Sequence, residues 1–172
     1  MDVKQIVEET LLETDRDVER ALQGLTVQEL DWRPGGESNS IGFNLWHMTA
    51  AEDDWISTFP RTVSKVSVRD GWAKRWAIPE RDNGYGYDLE KLSTFVTPPL
   101  AELWEYNRSV RKETLDYMNS LTNQHFDLEP ATDMPYRKGF TIGRMFSHLL
   151  CEINQHVGHI CYVRGLQRGL NK

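Results

Sequence analysis

Apolar residues recur along the chain with the spacing of amphipathic helices. Val3, Ile6, Val7, Leu11, Val18, Leu22 and Leu25 form an i, i+3, i+4 ladder, which predicts a first helix over about residues 2–24 with Gly24 as its stop. Asp31 to Ser40 (DWRPGGESNS) is read as a loop from its Pro-Gly-Gly and polar content. It ends in Asn39-Ser40, residues that cap a helix N-terminus well. A second helix is predicted from Ile41 to Phe59, ahead of Pro60, with Ile41, Leu45, Met48, Trp55, Ile56 and Phe59 as its buried stripe. Residues 60–87 have no clean period but hold Trp72, Trp76, Tyr85, Tyr87 and an Asn83-Gly84-Tyr85-Gly86 turn signal. A connection this long and aromatic is either functional or packed as a cover.

A short segment at Leu89 to Val96 leads to a third long helix. Thr97 is expected as its N-cap and Pro98 as its first-turn proline, with Leu100, Leu103, Trp104, Val110, Leu115 and Met118 carrying it to about residue 121. A loop containing Pro130 and Pro135 precedes a fourth helix, from Thr141 to Gly165 or Gly169. Four long amphipathic helices and no strand of consequence predict an all-α four-helix bundle. The long link after helix two permits a crossover connection between helices two and three.

The chain has 172 residues, which suits a single domain spanning 1–172 with a sizeable core. Twenty Lys+Arg against 26 Asp+Glu give a net charge of −6, which argues against a nucleic-acid partner held by phosphate attraction. No apolar run approaches the roughly 20 residues of a membrane helix, and acids run through the first seventeen residues where a signal peptide would be apolar. Cys151 and Cys161 match neither a CxxC motif nor a disulfide framework. A cytoplasmic, reducing location is therefore expected, with the two cysteines as packing residues away from any ligand set.

The fourth helix carries the chemistry. At about 100° per residue, His148, Glu152 and His156 fall at roughly 0°, 40° and 80°, with His159 at roughly 20°, beside or within the apolar stripe. A carboxylate there is costly unless paired or bound to a cation. Glu152 and His156 are one turn apart and can reach a single point, as inward-facing metal ligands of helical bundles do. A buried Glu–His hydrogen-bonded pair without metal meets the same constraint. A third ligand would come from another helix, and His47 is the only histidine of helix two, although its place at the stripe edge does not single it out. His125, in the loop before helix four, reads as a surface histidine.

Two segments, NLWHMTAAEDDW on helix two and EINQHVGHICYVRGLQRG on helix four, resemble the signatures of the DinB superfamily, the YfiT-like metalloenzymes. The resemblance covers nearly the whole chain. It implies a divalent metal held by a helix-two histidine and two residues four apart on the last helix, which here are His47, Glu152 and His156. Most members have histidine where this chain has Glu152. That glutamate, followed by His156-Val157-Gly158-His159, resembles the branch containing the helical domain of mycothiol-dependent maleylpyruvate isomerase. The further C-terminal domain of that enzyme has no counterpart in this sequence.

Three protein ligands leave a coordination position open, as in catalytic rather than structural sites. Two neutral imidazoles and one carboxylate around a dication leave one net positive charge, which an incoming thiolate or hydroxide would neutralise. The expected function is thus a divalent-metal-dependent transferase or isomerase that uses a low-molecular-weight thiol on a small electrophile. The alternatives are a metal-dependent hydrolase and a non-catalytic, stress-associated, metal-binding dimer. Zinc suits the donors best, with nickel, iron and manganese as other candidates. His148, His159 and Glu52 are candidate supports of the ligands; for Glu52 a salt bridge suits its position better than ligation. Arg164 could receive an anionic substrate, but reads more simply as a helix-end arginine. The apolar arc of helix four extends to Phe146, Leu150, Val157 and Cys161, broader than one core-facing helix needs, and predicts a homodimer.

Overall fold

The computed structural model describes residues 2–169, and every regular element in it is helical. Four long helices, α1 (Val3–Leu22), α3 (Ile41–Thr58), α7 (Leu100–Ser120) and α8 (Ile142–Arg168), carry the bundle. Shorter helices α2 (Val27–Asp31), α4 (Val66–Arg69), α5 (Trp72–Arg75) and α6 (Leu89–Thr94) lie in the connections. Around the bundle, α8 packs on both α1 and α3, and α3 packs on α7. The ring closes at a thinner seam between α7 and α1. No helix among the described residues is long and apolar enough to cross a membrane.

The helix starts follow local hydrogen bonding. Asp2 and Gln5 close a capping box on α1, Ser40 Oγ accepts from the amide of Phe43 at the head of α3, and Thr141 does the same for Arg144 on α8. Helix α8 ends at Gly169, the later of the two expected stops. The start of α7 differs from expectation. Pro99 stands at the N-cap and makes no side-chain capping bond. Thr97 instead packs against α3, in the space that the missing side chain of Gly42 leaves; a Cβ on Gly42 would lie 2.3 Å from Thr97 Cγ2. Helix α2, between the first predicted helix and the predicted loop, forms because Thr26 and Glu29 make a second capping box.

Helix α3 is the centre of the molecule. Every residue from Ser40 to Asp53 is buried, so it has no single apolar stripe and its polar side chains must find partners inside. Asp53 accepts from the amides of Val66 and Ser67 and from Tyr106 Oη, which fixes the start of α4 and joins it to α7. Trp72 and Trp76 stack on each other, Trp76 lies edge-on to Tyr106, and its Nε1 donates to Glu102. The aromatic connection is therefore a packed cover over α3 and α7.

Helix α8 is flanked on two sides, which accounts for its broad apolar arc. Phe146 and Val157 are buried within the chain, Phe146 against Phe126 and Tyr117. Leu150 is half-buried, and the arc needs no second copy of the chain to cover most of it. Cys151 and Cys161 are exposed rather than packed.

The α1–α7 seam is bridged by Arg111. Its guanidinium donates to Glu52 Oε2 (3.1 Å) and to the carbonyl of Leu11 (3.0 Å), and sits 3.5 Å from Asp15. Thr114 donates to the other oxygen of Glu52 at 2.6 Å. Removing one member of a buried pair strands the other, so Arg111→Met should lower unfolding free energy by about 3–5 kcal/mol. Denaturant titration checks this, and a loss below about 1 kcal/mol would contradict it. Burial outweighs Arg111 at Asp15 and, with Glu52 and Glu19 nearby, pushes its carboxyl up to about 6. The folded state then binds a proton the unfolded state releases between about pH 4 and pH 6, so this group makes stability fall as pH rises through that window. Asp15→Asn removes that slope: its stability relative to wild type should climb between those pH values and level off above them.

Candidate metal centre

His47, Glu152 and His156 come together between α3 and α8, their ligand atoms all within 4.8 Å of one another. His156 Nε2 lies 3.2 Å from Glu152 Oε1 and His47 Nε2 lies 3.4 Å from the same oxygen. The two imidazoles meet nearly at right angles, with ring centroids 4.6 Å apart. Both histidines are buried, while the Glu152 side chain keeps 23% of its surface exposed, so the cluster opens toward solvent along the carboxylate. Glu152 and His156 meet by helical spacing alone. His47 joins them because α3 lies against α8.

The outer nitrogens are both tied off. His47 Nδ1 bonds the carbonyl oxygen of Asn83, which can only accept, so Nδ1 carries the proton. His156 Nδ1 lies 2.9 Å from Asn44 Oδ1. The Asn44 amide nitrogen donates to the carbonyl of Ser40 at 2.9 Å, which leaves its oxygen for His156. In the neutral imidazoles both Nε2 atoms are therefore lone pairs, and they face a carboxylate that also only accepts. Three acceptors converging with no donor of their own require a cation, so the donor set fits a divalent metal. With protons as the only cations, hydrogen bonds from His156 and then His47 hold the Glu152 carboxyl well below its usual range.

The surroundings are aromatic. Phe43 stacks on His47 with centroids 5.7 Å apart, and Phe43 and Trp46 of α3 pack with Tyr87 and Phe95 of the crossover connection. His159 lies edge-on to His156 at 5.5 Å. Burial and then the neighbouring His156 lower its pKa, favouring the neutral ring.

The other candidates lie elsewhere. His148 packs edge-on to Trp55 and Phe140 and does not join the cluster. Glu52 is the salt-bridge partner of Arg111 described above, not a support of the ligands. Arg164 donates to the carbonyl of Ala21 near the end of α1. His125 caps its own 3-10 turn by accepting from the amide of Thr122. Asn44 and Asn83 were not singled out by periodicity. The signal for Asn44 was present as a polar residue one turn before His47 on an otherwise buried helix, whereas Asn83 acts through its backbone and has no signal beyond the turn itself.

Among curated proteins no match is found for the chain. Among solved structures, a crystal structure of a conserved protein of locus from Enterococcus faecalis superposes with a TM-score of 0.84 at 20% identity, covering 96% of this chain and 97% of that one, and so shares its fold. The sequence profile of the DinB superfamily matches residues 10–160, which contain His47, Glu152 and His156, and the chain belongs to that superfamily.

Proposed function

We propose that this chain is a divalent-metal-dependent enzyme that uses a low-molecular-weight thiol to attack a small electrophile, in a transferase or isomerase reaction. The observation that carries the reading is the convergence of His47 Nε2, His156 Nε2 and Glu152 Oε1, with both Nδ1 atoms already committed as donors. When bound, the metal supplies the Lewis acidity that keeps a thiol or a water deprotonated near neutral pH. Two imidazoles and one carboxylate suit zinc, with nickel, iron and manganese as the other metals to assay.

The protein's own groups do the rest. Glu152 subtracts one charge from the dication, leaving a site that one anionic thiol neutralises. Its exposed edge gives a small molecule access from solvent. His159, neutral and one turn beyond His156, is placed to hydrogen-bond a molecule entering from that side. The aromatic wall of Phe43 and Tyr87 keeps water from the far side of His47, so exchange takes place along the Glu152 edge.

Protein purified without a histidine tag should contain close to one equivalent of divalent metal by plasma mass spectrometry. Glu152→Gln and His156→Ala should lose it while helix content survives. Turnover of an electrophile should then require thiol and metal together. Turnover with metal and water alone would make the protein a hydrolase. Absence of metal after reconstitution would contradict the proposal and leave a buried polar network.

A further inference from the structure

An imidazole that ligates through Nε2 must carry its proton on Nδ1, and an isolated ring divides between both tautomers. Each ring of this cluster has a different device that settles the matter. For His156 it is Asn44, itself 1% exposed and oriented by the Ser40 carbonyl at the head of α3. For His47 it is a backbone carbonyl on the crossover connection. Asn83 is held there by a compact turn in which the Gly84 amide donates to Asp82 Oδ1, the Tyr85 amide donates to Asn83 Oδ1, and Tyr87 Oη donates to Asp82 Oδ2.

The turn reaches His47 because residue 84 is glycine. Its φ is +85°, and a Cβ there would lie 2.7 Å from Trp46 Cζ3, 3.0 Å from His47 Nδ1 and 3.1 Å from Phe43 Cζ. Those rings are packed in the core and have no room to withdraw. Any side chain at 84 therefore lifts the peptide that carries the Asn83 carbonyl off His47.

We propose that Asn44 and Gly84 are positioning residues of the metal centre: Asn44 holds His156, and Gly84, by letting the Asn83 carbonyl approach, holds His47, each with its Nε2 lone pair turned into the cluster. The inference rests on reading the cluster as a metal site. Its central element, the proton held on each Nδ1, is measurable without metal.

Long-range proton–nitrogen spectra of metal-free protein at about pH 8.5 report, ring by ring, whether Nδ1 carries a proton. Wild type should show a protonated Nδ1 at both His47 and His156. Asn44→Leu should lose it at His156 alone, and Asn44→Asp, which keeps an acceptor in place, should retain it. Gly84→Ala should lose it at His47 alone. Zinc affinity, measured against a competing chelator, should fall about 10–100-fold in Asn44→Leu and Gly84→Ala. If Asn44→Leu does not fold, Asn44→Ala carries the same expectations. Unchanged Nδ1 protonation in the variants, or equal disturbance of both rings by either one, would overturn the proposal, since the second is general loosening. Protonated Nδ1 atoms in wild type with no zinc uptake would instead overturn the metal reading and leave the positioning of the two rings supported.

Discussion

Helix α3 has no face in water, and most of the organisation of this protein answers that constraint. From Ser40 to Asp53 it is buried all round, yet it carries Asn44, His47, Thr49, Glu52 and Asp53. Unpaired, each would cost on the order of 1–3 kcal/mol, and more where charged. Each is paired, and together they reach every neighbour of the helix but α2: Asn44 and His47 pair with α8, His47 also with the crossover connection, Thr49 and Glu52 with α7, and Asp53 with the start of α4. The polar groups of one helix thus set where its neighbours sit.

The candidate metal centre is one member of that set, and it differs from the rest in a single respect. Glu52 meets Arg111 and Thr114, and Asp53 meets two amides and two hydroxyls, so donors and acceptors match. At His47, Glu152 and His156 the donors point outward and three acceptors point inward. The cluster is completed by something positively charged. That asymmetry, more than the identity of the residues, separates a ligand set from a structural network.

Glu152 and His156 were legible in the sequence because i, i+4 spacing on a helix is local geometry. The caps at Ser40 and Thr141 were legible for the same reason. His47 was not, except through the resemblance to the DinB superfamily: a stripe argument presumes a helix with one buried face, and α3 has none to spare for solvent. Thr97-Pro98 has the composition of a helix start, but the space left by Gly42 draws Thr97 onto α3 and the helix begins at Leu100. The broad apolar arc of α8 was real, yet much of it is filled by Phe126 and Tyr117 from the same chain, elements whose approach no local pattern encodes. Asn83-Gly84 was visible as a turn, while its contact with a histidine 36 residues earlier is purely tertiary.

The central claim is that His47, Glu152 and His156 hold one divalent cation through Nε2, Nε2 and a carboxylate oxygen. Anomalous diffraction at the zinc edge, from crystals of the reconstituted protein, tests it most directly. The account predicts one peak within about 2.0–2.2 Å of those three atoms, with a further position open toward the exposed side of Glu152. A peak elsewhere, or ligation through Nδ1 with the Asn44 and Asn83 bonds broken, would contradict it.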